Sequence, residues 1–219
     1  MLVERADLHG RIAVREFAGM DCSTTAPRYL GQALALADLP RRETRRLTAF
    51  EKHVLACLLG LGEEAREAPI VFASRYGTMS SNTLALLKDL LSGTPLSPTG
   101  FSLSVHNAAV GVASQLMNDT APYTAIAAGE RTLDCALLEC LALLGDGAER
   151  VILAFGEARM EQEYEAFDEG HADLYFACLL SRAEASGAPA LTALVAPDET
   201  ASPRGLLARL EAHFTGAPS

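Results

Sequence analysis

The sequence predicts an α/β fold: a mixed, mostly parallel sheet with helices on both faces and an antiparallel strand near the C-terminus. Two observations carry that prediction. Apolar runs too short for helices alternate with longer segments of helical period, the pattern of strands joined by crossover helices and buried on both faces. Near the end the alternation breaks, because "ADLYFACLLSRA" follows the acidic loop "EARMEQEYEAFDEGHA" with no room for a crossover helix, so that strand pairs antiparallel with the one before it.

The elements follow in order. "GRIAVREF" alternates apolar and polar residues as a half-exposed strand does. After a loop of small and polar residues, Pro40 precedes a helix in which Leu47, Phe50, Val54, Cys57, Leu58 and Leu61 recur at helical spacing, with Gly62 as its stop. "PIVFASRYG" reads as a buried strand, and "TMSSNTLALLKDLLSG" as a helix stopped by Gly93. "FSLSV" reads as the next strand, running into His106 and Asn107 and then a helix to about Asn118. That helix, "NAAVGVASQLMN", is built of residues small enough for close backbone approach, which predicts burial between layers. Strand "YTAIAAG", helix "TLDCALLECLALLG" and strand "RVILAFGEA" complete the alternation. "ALTALVA" is a further strand and "PRGLLARLEAHF" a closing amphipathic helix. No repeat or linker divides residues 1–219, so a single domain is expected.

The composition, 49% hydrophobic and 21% charged, is that of a globular protein able to bury a core. A net charge of -10 disfavours nucleic acid and anionic membranes as partners. No apolar run is long enough to span a bilayer, and "MLVERADLHGR" is too charged for a signal segment, so a cytoplasmic protein is expected. The five cysteines lie in apolar surroundings without metal-ligand spacing and read as buried reduced thiols, and no metal or cofactor is implied. Glycine-rich phosphate loops and the GxSxG elbow are absent.

The chemistry-bearing candidate is the turn at His106. Ser104, His106 and Asn107 stand close together, and a hydroxyl beside an imidazole is the minimum for nucleophilic catalysis. Residues two apart on a strand stand side by side rather than in line, and no acid is placed to orient the ring. Asn107 also suits the N-cap of the following helix, its side-chain oxygen accepting from a free backbone N–H.

The stretch "VFASRYGTMSSNTLALLKDLLSGTPLSPTGFSLSVHNAAVGVASQ", with "LPRRETRRLTAFEKHVLACLLGL" before it, resembles the beta-ketoacyl synthase-like N-terminal domain family, chain-length-factor-like proteins of aryl polyene and xanthomonadin-type pigment clusters. The similarity runs from about residue 10 to about residue 195, and "SPTGFSLSVHNA" is its most specific part. The resemblance implies half of a thiolase-like fold, the half that in condensing enzymes carries an acyl-accepting cysteine at a strand-to-helix turn, its thiolate favoured by the helix N-terminus. On this reading His106 and Asn107 occupy that turn in "VHNAA", Cys135 and Cys140 lie on the next helix, and the histidines of a second half are missing. The implied function is a non-condensing accessory subunit that pairs, as a dimer, with a catalytic beta-ketoacyl synthase. Two other readings stay open: an acyltransferase or hydrolase of acyl thioesters using Ser104 and His106, and a self-associating scaffold or small-ligand binder.

Arg41, Arg42, Arg45 and Arg46 place four cations in six residues of an acidic chain. They read either as a docking surface for an acidic acyl carrier protein or a partner subunit, or as a solvated first helical turn.

Overall fold

The computed structural model describes residues 12–167, 173–182 and 202–215. The predicted strand "ALTALVA" lies outside the described residues. Six strands form one sheet: β1 (Ile12–Asp21), β2 (Arg28–Gly31), β3 (Ile70–Ala73), β4 (Tyr123–Ile126), β5 (Arg150–Glu157) and β6 (Leu174–Arg182), in the order β2-β1-β6-β5-β3-β4.

The sheet is mixed, with less parallel pairing than the sequence suggests. β3 pairs parallel with β4 and β5, whereas β5–β6, β6–β1 and β1–β2 are antiparallel. The expected antiparallel turn from β5 into β6 is present. What the sequence reading missed is β2, hidden in the loop after β1, which folds back as a hairpin and extends the antiparallel half. β1 itself is buried on both faces rather than half-exposed, and a bulge between Val14 and Glu16 resets its alternation, so that Val14 and Phe17 pack in the same core layer.

The helices are α1 (Arg41–Thr44), α2 (Ala49–Leu58), α3 (Leu84–Ser92), α4 (Pro98–Ser102), α5 (Ala108–Met117), α6 (Thr132–Gly145) and α7 (Pro203–Thr215). The single helix expected from Pro40 to Gly62 is broken at Thr48. Thr48 and Glu51 form a reciprocal capping box, which satisfies two free N–H groups only if α2 begins at Ala49. The four arginines therefore precede α2 instead of forming its first turn.

Each face of the sheet has its own core. On one, α2 and α5 press Phe50, Val54, Leu55, Ala109, Val110 and Ala113 onto Phe72, Ile152 and Tyr175. On the other, α6 and α7 press Leu133, Leu137, Leu144, Leu206 and Leu210 onto Val71, Leu153 and Phe176. The small-residue helix α5 is buried on one side only, with Gln115 exposed.

The stretch "FSLSV" is not a strand. Ser97 caps α4, its hydroxyl oxygen accepting from Gly100 N–H at 3.1 Å, with Pro98 at the first helical position. Residues 103–107 are an irregular turn into α5. The alternation of Phe101, Leu103 and Val105 reflects exposure instead of a sheet: Phe101 is 65% and Val105 50% exposed.

Candidate functional site

The turn at His106 is built as a clamp. The His106 ring packs against Phe72, centroids 5.6 Å apart, and Nε2 lies 2.8 Å from the Ser74 carbonyl oxygen. A carbonyl only accepts, so Nε2 carries the proton, and that nitrogen is not available as a base. Gly77 leaves the ring its room: a Cβ there would stand 2.8 Å from Cδ2. Ser104 Oγ donates to the Phe101 carbonyl at 2.8 Å, so the hydroxyl and the imidazole each have a separate partner. Asn107 occupies the N-cap position of α5, but its side chain makes no capping bond, contrary to the expectation.

Polar bonds hold the segment just before His106. Thr78 Oγ1 donates to Ser104 O at 2.9 Å, and Asn82 Nδ2 donates to Leu103 O and to the fully buried Glu51, each at 3.1 Å. Thr78 and Asn82 belong to a π turn, residues 79–83, and the residue that caps it. This network fixes backbone.

A concave site lies elsewhere, at the carboxyl ends of β3 and β5, where open parallel sheets commonly bind ligands. A cavity of about 310 Å³ is lined by Arg75 after β3, Gly129 and Glu130 between β4 and α6, Thr132 at the start of α6, Phe155 and Glu157 at the end of β5, and Arg204 in α7. Leu133 and Leu174 give it apolar walls. Gly129 turns the chain from β4 toward α6 with φ +59°, a conformation that suits glycine. Thr132 Oγ1 donates to Gly129 O at 2.6 Å and accepts from Ala128 N–H at 2.9 Å, which commits its hydroxyl to the turn. Glu157, 5% exposed, accepts from the backbone N–H groups of Arg75 and Tyr76 at 2.8 and 3.3 Å and so ties the β3 turn to β5. Arg204 reaches Asp21 at 3.3 Å. Burial opposes ionisation of Asp21, but bonds from Ser23 and the charges of Arg204 and Arg28 outweigh it and hold the carboxyl below its ordinary value.

The sequence reading missed this cavity. Two signals point to it: Gly129 between an apolar strand and a helix, and Glu157 closing the apolar run "VILAFG". The turns that leave β3 and β4 for helices, residues 74–78 and 127–131, contain no cysteine. Cys135 sits one turn inside α6 and Cys140 is buried. All five cysteines are free, and burial drives Cys57, Cys140 and Cys178 far above the ordinary thiol range. Cys22 Sγ is 3.9 Å from both ring nitrogens of His53, yet burial pushes the thiol up to about 12 and the imidazole down, so the pair is neutral rather than an activated thiolate. Among the described residues, no group of three or more His, Cys, Asp or Glu could hold a metal ion, and no helix is long and apolar enough to cross a membrane.

The four arginines are exposed, Arg41 and Arg42 on α1, and Arg45 and Arg46 in the turn that leads to Thr48.

Comparison with known proteins places this geometry. No curated protein matches the sequence. Among solved structures, the complex of a ketosynthase (ApeO) with its chain length factor (ApeC) from Xenorhabdus doucetiae is similar at a TM-score of 0.69 and 20% identity, over 81% of this chain and 80% of that one. The ishigamide ketosynthase/chain length factor follows at 0.64 and 15%, over 83% and 64%. A beta-ketoacyl synthase from Burkholderia phymatum stands at 0.61 and 11%, over 80% and 60%, so this chain spans under two thirds of those last two. These likenesses establish the thiolase-like ketosynthase fold. Residues 22–205 match the family described as beta-ketoacyl synthase, N-terminal domain. The chain therefore belongs to the beta-ketoacyl synthase N-terminal domain family.

Proposed function

We propose that the chain is a non-condensing, chain-length-factor-like subunit that pairs in the cytoplasm with a catalytic beta-ketoacyl synthase in fatty-acid or aryl polyene-type assembly. One observation carries the reading: a condensing enzyme needs a thiol at a strand-to-helix turn, and the turns after β3 and β4 offer Ser74–Thr78 and Ala127–Arg131 instead. On this reading the turn that answers to the nucleophile position is the one after β4, where Glu130 stands and α6 follows, rather than His106 and Asn107. A carboxylate there cannot form a stable thioester-exchanging acyl enzyme by the ordinary route.

The partner is a second ketosynthase-like subunit. In support, one chain of the Xenorhabdus doucetiae complex is close to this one in length, and among the described residues no strand pairs with the outer edge of β4. Arg41, Arg42, Arg45 and Arg46 are suited to steer an acidic acyl carrier protein or an acidic rim of the partner.

The test is acyl loading. Incubated with acyl carrier protein bearing a radiolabelled acyl group, the purified chain retains no label after denaturation, while its complex with a catalytic beta-ketoacyl synthase condenses. A stoichiometric adduct on the isolated chain overturns the accessory assignment. Loss of that adduct in Ser104→Ala would favour the acyltransferase or hydrolase alternative instead.

A further inference from the structure

At the amino end of β5, three neighbouring strands each bring an arginine to one concavity: Arg15 of β1, Arg182 of β6 and Arg150 of β5. The hollow has a volume of about 650 Å³, within the range of small-molecule sites, and Glu64, Gly147 and Glu149 also line it. The length of β5, about 23 Å at a rise of about 3.3 Å per residue, separates it from the cavity at Glu157.

The walls of this hollow are held in place. β1 pairs Val14 with Leu180 and Glu16 with Leu179, so Arg15 is the extra residue of the bulge and is turned out of the ladder. Glu16 accepts from the Gly62 N–H at 2.6 Å, which ties the turn Glu63–Ala65, and with it Glu64, to the same bulge. Arg182 is anchored on the end of α6: Nε donates to Leu144 O at 2.9 Å and Nη2 to Gly145 O at 3.2 Å, two carbonyls from the last turn of the helix. Arg150 stands opposite Ser181 in the β5–β6 ladder, next to Arg182. Gly147 has φ +111°, a conformation that favours glycine, and turns the chain from α6 toward β5 beside these cations. Among the described residues no carboxylate pairs with Arg15, Arg150 or Arg182, although the chain carries a net charge of -10.

We infer that this hollow is a binding site for a small phosphorylated molecule, an inference independent of the pairing proposed above. Guanidinium groups offer forked donors that match phosphate oxygens, and strands about 4.8 Å apart let three of them approach one oxyanion from different sides. Arg182, fixed by the carbonyls of α6, loses little side-chain freedom when it binds. Glu64 and Glu149 narrow the ligand further. They would repel the acidic surface of a protein, whereas the body of a small phosphate ester can offer them hydroxyl or amine donors.

Isothermal titration calorimetry of the full chain with pyrophosphate, at constant ionic strength and without metal ions, tests the inference. Saturable binding is expected. The double variant Arg15→Gln with Arg150→Gln should weaken it by about 100-fold, ten-fold for each charge-assisted contact. Its melting temperature should stay unchanged, because neither side chain bonds another described residue. Arg182 is left in place, since it holds the end of α6. Glu64→Gln with Glu149→Gln removes repulsion at the rim and should tighten pyrophosphate binding by about five-fold. A wild type that shows no saturable binding, or an arginine double variant that binds equally well, overturns the inference. Acyl carrier protein bound by the wild type and lost in the arginine double variant, with no binding of pyrophosphate, makes an acidic protein the occupant and overturns it as well.

Discussion

At one edge of the sheet, β2 carries Arg28, whose guanidinium pairs with Glu211 of α7 and approaches Asp21 of β1 at 3.8 Å. At the other edge, β4 reads Tyr-Thr-Ala-Ile, with three of its four residues exposed and no charge. Ile70 N–H donates to Pro122 O and Ser74 N–H to Ile126 O, so alternate residues of β4 face β3, and the backbone groups of Tyr123 and Ala125 point away from the sheet. Isolated proteins blunt an edge with charge or a covering helix, and β2 has both. β4 has neither. The contrast teaches that the α7 flank is finished as a free surface, whereas the β4 flank has the composition of an interface.

The largest expected effect comes from blocking the bare edge. Ala125→Pro removes an outward N–H and leaves the ladder to β3 intact, because proline is tolerated at an edge position whose N–H is not used inside the sheet. If β4 adds a strand of the partner, affinity for the synthase should fall by about 100-fold, equal to roughly 2.7 kcal/mol. Calorimetric melting of the variant alone should change little, and unaltered affinity would remove β4 from the interface.

The guarded edge should fail as stability instead of assembly. Gly31 has φ +58°, and a Cβ there would run into the Phe17 carbonyl oxygen. Gly31→Ala should cost about 2 to 3 kcal/mol. A chain of this size would then melt roughly 5 to 10 °C lower. Synthase binding by the folded fraction should persist.

A smaller effect is expected from Arg28→Glu, which replaces attraction to Glu211 and Asp21 with repulsion. The Arg28 side chain is 55% exposed, so solvent screens the pairs and the loss should stay near 1 kcal/mol, shrinking further in high salt. Equal melting points at low and high salt would show that the pairs do not guard the edge.

Alkaline pH probes the two cores instead of the edges. Burial raises the thiols of Cys22, Cys57, Cys140 and Cys178 and the phenol of Tyr175 in the folded state. Below about pH 8.5 the thiols are protonated whether the chain is folded or not. Above it the unfolded chain releases protons that the folded chain keeps, so stability falls as pH rises toward about 12. Denaturant midpoints should be level from pH 7 to 8 and decline by pH 10, and a flat profile would contradict the burial of these thiols.

Several local features are legible in the amino-acid order, though competing patterns obscure some of them. The "TAFE" of residues 48–51 is a capping box that starts α2, and the Ser97–Pro98 pair starts α4, yet helical spacing and the alternation of Phe101, Leu103 and Val105 suggest a longer helix and a strand. Alternation cannot distinguish a sheet position from a chance spacing on an exposed turn. The positions beside β3 are filled by β4 and β5, so "FSLSV" cannot pair with β3. The candidate site shifts for the same reason: Ser104 and His106 serve as backbone anchors, and the cavity forms where β3, β5, α6 and α7 converge from separate parts of the chain.

By itself the sequence determined the class of the fold, the strands β3, β4, β5 and β6, the helices α6 and α7, and the antiparallel return after β5. Those depend on period and length, which neighbouring residues set. Only the tertiary structure decided that β1 lies between β2 and β6, that His106 hydrogen-bonds Ser74, that Glu157 closes on the turn of Arg75, and which apolar residues remain uncovered. The physical reason is that order across a sheet, and the partner of any one side chain, are fixed by contacts between distant segments. Burying a Leu at positions 137 or 144 while leaving one at 91 exposed is a choice made by packing, because the residue is the same in all three places.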